Sequence, residues 1–162
     1  MAKLNIPKNY LDLTLDELIN SIFDKNCIKI SSRIHKPDDY EKVIHKINEI
    51  LEESFQMEFL SASENEEDEN QWIFEIGVDE IVVEFTLYQE EDKIEDRGLV
   101  NGINQLFNKL KTGFSLFSYW DSEWDSHKIG FGLVSNKSKK DIQNIINSRK
   151  ENDWFELFYI SE

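Results

Sequence analysis

Apolar residues recur along this chain with two periods, and the switches between them mark its elements. Leu15, Leu18, Ile19, Ile22 and Phe23 form one helical stripe. Thr14 and Glu17 stand before it at capping-box spacing, with Leu13 and Leu18 placed as a hydrophobic staple. Residues 27–34 (CIKISSRI) alternate in part and predict a strand. Pro37 and Asp38 open a second helix, whose buried face is Tyr40, Val43, Ile44, Ile47, Ile50 and Leu51. Glu41, Lys42, His45, Lys46, Glu49 and Glu53 make its other side an ordinary solvent-facing one.

The period then falls to two. Phe55, Met57 and Phe59 alternate with polar neighbours, and after the run 64–70 (ENEEDEN) so do Trp72, Phe74, Ile76 and Val78. Ile81, Val83, Phe85 and Leu87 repeat the pattern beyond a tight turn at Gly77 to Glu80, which predicts an antiparallel hairpin with one buried face. A second acidic stretch, 89–97 (QEEDKIEDR), leads to a helix carrying Leu99, Ile103, Leu106, Phe107 and Leu110, with Gly113 placed to end it. Strands are predicted at 114–120 and 128–135. A fourth helix starts at Ser138, carries Ile142, Ile145 and Ile146, and ends on Arg149 and Lys150, cations that suit the negative end of its dipole. Residues 154–160 (WFELFYI) are apolar on both faces, which predicts a central strand.

The order αβαβββαββαβ mixes helices and strands while hairpins dominate the pairing. We therefore expect a single α+β domain over residues 1–162, mainly antiparallel, with about four helices. From Ile81 onward the order is βαββαβ, that of a ferredoxin-like split motif, a pattern of elements that hosts many functions.

Charge changes the picture more than composition does. The chain has 162 residues with 33 acidic and 18 basic side chains, a net charge of −15. Residues 1–60 carry 8 basic and 11 acidic groups, and residues 99–162 carry 8 of each. Residues 61–98 carry 14 acidic groups against only Lys93 and Arg97, so most of the net charge lies around one hairpin. In an antiparallel pair the outer ends are neighbours. Glu64, Glu66, Glu67, Asp68 and Glu69 are thus expected beside Glu90, Glu91, Asp92, Glu95 and Asp96. Such a field costs stability by self-repulsion but steers a basic partner. It also opposes nucleic-acid binding, which depends on Lys and Arg contacts to phosphate.

Motifs for chemistry are weak. Residues 120–127 (WDSEWDSH) begin like a calcium loop at Asp121, Glu123 and Asp125. Ser126 stands where that loop needs glycine and Gly132 where it needs a bidentate glutamate, so no metal site is expected. Trp120 and Trp124, with Asp121 and Asp125, are instead candidate partner contacts. Cys27 beside Ile28 and Ile30 reads as a strand residue rather than a nucleophile. His35, His45 and His127 have no ligand spacing. Gly130 and Gly132 flank Phe131 within a strand, which points to close packing or a bulge rather than a dinucleotide loop. No catalytic residue and no cofactor is assigned.

Residues 1–10 lack the apolar core of a signal peptide, no run is long enough to span a bilayer, and the single cysteine suits a reducing compartment; a cytoplasmic location is the expectation. The expected function is that of a small acidic binding protein for a basic partner protein. Immunity-type inhibitors of nuclease toxins and inhibitors of DNA-binding proteins share this general composition. The alternatives are a homodimeric structural subunit, and a metal-dependent hydrolase built on residues 121–127.

Overall fold

The computed structural model describes residues 4–121, 124, 127–149 and 157–161. Thr14 Oγ1 accepts the Glu17 N–H and Glu17 Oε1 accepts the Thr14 N–H, both at 3.1 Å, so helix α1 (Leu15–Phe23) starts on a reciprocal capping box. A cap is worth about 1 kcal/mol. Burying Leu15, Leu18, Ile19 and Phe23 contributes roughly 1.5–3 kcal/mol for each side chain. Packing holds α1, and the cap decides where it begins.

The remaining elements are β1 (Cys27–Ser31), α2 (Asp39–Asn48), β2 (Glu58–Glu64), β3 (Gln71–Val78), β4 (Ile81–Tyr88), α3 (Asp96–Leu110), β5 (Phe114–Trp120), β6 (Lys128–Ser135), α4 (Lys139–Arg149) and β7 (Leu157–Ile160). Together they form a single α+β domain with four α-helices and two antiparallel sheets, in the order the hydrophobic pattern predicts. One sheet runs β1-β6-β5-β7 and the other β2-β3-β4.

The four-stranded sheet is covered on both faces. Phe117, Tyr119 and Val134 pack with α1, α4 and Phe158 on one side. Leu116, Ile129, Phe131 and Leu133 pack on the other with α2, α3 and the inner face of the three-stranded sheet. Gly130 and Gly132 are where the first face needs room. Tyr119 pairs with Gly130 and Phe117 with Gly132, and a Cβ on either glycine would overlap the ring opposite. Close packing is therefore the role of both glycines. Two buried asparagines tie helices to chain. Asn48 of α2 exchanges two 2.9 Å bonds with the Met57 backbone, and Asn104 of α3 brackets Leu116 of β5 at 2.8 and 3.0 Å. Each amide stands in for a missing strand neighbour.

Several expectations need correction. The βαββαβ order from Ile81 is present, but β4 pairs with β3 in the second sheet, so the strands do not pair as in a split βαβ unit. A two-residue turn closes the β3–β4 hairpin at far less entropic cost than a crossover, and it matches Trp72 to Leu87, Phe74 to Phe85 and Ile76 to Val83. Among the described residues β7 is a sheet edge rather than a central strand, with Leu157 53% exposed. Its two-faced apolarity arises because Phe158 packs toward α1 and α4 while Tyr159 packs toward α3. Residues 154–156 of that expected strand lie outside the described residues, as does Lys150. β2 begins at Glu58 rather than Phe55 and runs on to Glu64, and its pairing with β3 slips between Phe59 and Ser61. α3 stops at Lys111, which adopts the left-handed conformation, two residues before Gly113. Arg149 is not a solvated helix end: it is 3% exposed and donates from Nη1 to the Tyr10 carbonyl at 2.5 Å.

Candidate functional site

The register of the β3–β4 hairpin sets the site. Gln71 lies opposite Tyr88, and one step further out the Gln89 N–H donates to the Asn70 carbonyl at 2.7 Å. That bond joins the two acidic loops, as the antiparallel argument requires. The first loop is a built turn. Asn65 Oδ1 accepts the Glu67 N–H at 2.9 Å and Asp68 Oδ1 accepts the Asn70 N–H at 3.0 Å, two Asx turns in succession. The Trp72 indole N–H donates to the Glu69 carbonyl at 3.1 Å and anchors the loop on the core. Glu64 belongs to β2, opposite Trp72.

The second loop is folded around a buried glutamine. Gln89 Nε2 donates to the Glu91 and Lys93 carbonyls, each at 2.6 Å, and its Oε1 accepts the Tyr40 hydroxyl at 2.5 Å. The same hydroxyl accepts the Glu95 N–H at 3.0 Å, and burial pushes its pKa well up. On the far side, the Ile34 N–H donates to the Asp92 carbonyl and the Ile94 N–H to the Ser32 carbonyl, so the loop is also stitched to the chain leaving β1. Tyr40 and Gln89 escape a reading by periodicity, which sees Tyr40 as one more apolar position of α2. Asn65, Asp68 and Asn70 were the local signal for an ordered turn.

Eight of the ten expected carboxylates are exposed here: Glu64, Glu66, Glu67, Asp68, Glu69, Glu90, Glu91 and Asp92. Glu95 and Asp96 are half-buried and turn to α3 instead. Glu95 Oε2 accepts the Gly98 N–H at 2.8 Å, and Asp96 Oδ2 accepts the Ser118 hydroxyl at 2.6 Å. Burial outweighs that amide bond and raises the Glu95 pKa, with the Asp96 charge adding to it. Of the two cations in this segment, Lys93 pairs with Glu91 at 3.2 Å, and Arg97 lies over the Tyr159 ring at 5.3 Å. The exposed acids are thus barely neutralised.

Of the four residues of 120–127 expected as partner contacts, Trp120, Asp121 and Trp124 are described, and none of these three is exposed. Asp121 is 4% exposed, and its Oδ2 accepts the Asp16 N–H at 2.6 Å at the start of α1. Trp120 is half-buried against the larger core, with Lys93 Nζ 5.9 Å from its ring. Trp124 is half-buried against Tyr119, centroids 5.4 Å apart, with Lys29 Nζ 5.9 Å from its ring. Glu123 and Asp125 lie outside the described residues. Among the described residues no cluster of three or more His, Cys, Asp or Glu is arranged for a metal ion, and no helix is long and apolar enough to cross a membrane. His127 Nδ1 lies 3.4 Å from Arg33, and His35 and His45 are exposed on separate stretches. Burial, followed by the Asp16 and Asp24 charges, pushes the Cys27 thiol up to about 11, opposite to what a nucleophile needs.

Beside the second loop a hollow of about 510 Å³ opens between Tyr88 and Gly98, walled by Glu90, Glu91, Glu95 and Asp96. Lys93 lines it too, so four carboxylates face one ammonium, a net negative lining that suits a Lys or Arg side chain. No family model, no curated protein and no solved structure matches this chain.

Proposed function

We propose that this protein is a binding module whose acidic hairpin end engages a basic partner protein. The observation that supports it is the bond from the Gln89 N–H to the Asn70 carbonyl, which sets two ordered acidic loops side by side. Eight exposed carboxylates with one exposed ion pair among them form a single-signed field of the kind that speeds encounter with an opposite charge. The turns hold the backbone of both loops in place before binding, which lowers the ordering cost of an interface. The hollow between Tyr88 and Gly98 would accept one cationic side chain of the partner. A nuclease toxin or a DNA-binding protein has such a basic face, and neutralising it is the finer form of this reading.

Affinity capture from the native host, followed by association kinetics across ionic strength, tests the proposal. Association should slow steeply as salt rises. Glu66→Gln, Glu67→Gln, Asp68→Asn, Glu91→Gln and Asp92→Asn together should slow it further, by about tenfold or more, with dissociation little changed. The amides keep an acceptor oxygen at Asp68 for the Asn70 N–H, so the turn survives the change. A captured partner whose association ignores both salt and these five changes overturns the reading.

A further inference from the structure

On a chain of net charge −15, one concave surface is cationic. A groove of about 560 Å³ runs between β1 and α2. Lys29 and Arg33 line it from the strand side, and Lys42 and Lys46, one helical turn apart, line it from α2. Ile30 and Val43 give it an apolar floor. Glu41 of the same helix is not on the lining. Asp39 is the only carboxylate on the lining among the described residues, and it accepts the His35 and Lys36 N–H groups at 2.8 and 3.1 Å.

The groove follows a strand edge. Lys29, Ile30 and Ser31 are consecutive, so their side chains leave β1 on opposite faces, yet all three line the groove. β1 is the last strand of its sheet, with β6 on one side and no strand on the other among the described residues. Its register with β6, continued by the Ser32 N–H on the His127 carbonyl, turns the Ile28, Ile30 and Ser32 peptide groups toward β6. Those of Lys29 and Ser31 face away.

We propose that this groove binds an extended acidic peptide segment of a partner protein, added to β1 as a further strand, with its carboxylates against Lys29, Arg33, Lys42 and Lys46. The cations are spread along about 13 Å of strand and about 6 Å of helix. A compact anion would reach one end of that array and leave the rest unused. Lys46 is 3.6 Å from Glu49, with both side chains more than half exposed, a pair weak enough to exchange for a bound carboxylate. Lys29 is 3.0 Å from Asp16, whose side chain is 17% exposed, and Arg33 Nη2 is 3.4 Å from His127 Nδ1, so these two cations would bind a peptide carboxylate while keeping their present neighbours. The site shares no carboxylate with the acidic hairpin end, so the two proposals stand or fall separately.

The intact chain is titrated with a short fluorescent peptide of alternating glutamate and threonine. Saturable binding is expected, with little binding of the matching lysine–threonine peptide. N-methylation of alternate peptide nitrogens should abolish it, because added-strand pairing needs those N–H groups. Lys42→Glu with Lys46→Glu, at exposed helix positions, should weaken binding by about tenfold or more with Tm unchanged. If that reversal disturbs the fold, Lys42→Gln with Lys46→Gln reads the same loss. Retained affinity in the N-methylated peptide or in the lysine variants overturns the proposal. So does tighter binding of tripolyphosphate or of a single-stranded oligonucleotide, which would make the groove a general polyanion site.

Discussion

Tyr40 of α2 donates its hydroxyl to the buried side chain of Gln89, 49 residues away, at 2.5 Å. Through that contact a core helix holds the shape of the second acidic loop, because Gln89 in turn binds the Glu91 and Lys93 carbonyls.

Tyr40→Phe keeps the ring contacts with Trp72 and Phe74 but strands Gln89 Oε1 and the Glu95 N–H without their partner. Leaving buried polar groups unsatisfied costs about 1–3 kcal/mol. We expect a lower urea midpoint by that amount, and faster amide exchange confined to residues 89–95. Unchanged exchange in that loop would show that Tyr40 does not organise it.

Gly132→Ala and Gly130→Ala should each destabilise the four-stranded sheet by about 1–3 kcal/mol, the cost of overpacking a filled core. The new methyl would overlap the Phe117 ring in the first case and the Tyr119 ring in the second. Gly132→Ala combined with Phe117→Leu should recover part of the loss, while Gly113→Ala should act through its backbone, at φ 80, without a packing clash. Thermal melts of the four variants check this.

Two carboxylates that accept backbone N–H bonds shift in opposite directions. The His35 N–H bond is the leading cause holding Asp39 below 3.8, whereas burial drives Glu95 above 4.5. The Asp39 contribution is therefore present above pH 3.8 and is lost as pH falls through its depressed folded value. Glu95 has the opposite sign: its ionised form is the disfavoured one in the fold, and protonation relieves it. Glu95→Gln keeps an acceptor for Gly98 and should raise stability at neutral pH, a gain that vanishes as the pH falls below the raised Glu95 value and the native acid protonates. Carboxyl NMR titration gives both midpoints, and urea midpoints against pH give both signs.

The protein should be more stable at 200 mM than at 10 mM sodium chloride. Fourteen acidic groups lie within residues 61–98, and their mutual repulsion is screened as the Debye length falls from about 30 Å at 0.01 M to about 8 Å at 0.15 M. Salt also weakens the exposed Lys46–Glu49 pair, worth at most about 1 kcal/mol, and screens the partly buried Lys29–Asp16 pair less. The glutamine and asparagine variant of the acidic loops should lose most of this salt dependence. A urea midpoint that falls with added salt would contradict the repulsion argument.

What the sequence determined by itself is what neighbours along the chain decide. Thr14 and Glu17 place the start of α1, the alternation of residues 72–87 pins the hairpin register, and that register alone sets the two acidic loops together. Each of these follows from a period or a cap acting over a few residues. Only the tertiary structure decided what depended on distant surfaces. The division into two sheets, with β7 at an edge, arises because hairpins close locally while helices cover both faces of the longer sheet. Asp121 went to the start of α1, 105 residues away, because the fold offered a helix N-terminus there, and Trp120 and Trp124 packed against apolar ground that several elements build together. Lys42 and Lys46 read as solvated charges in a helix wheel; they became one wall of a cationic groove only when α2 came to rest beside the open edge of β1.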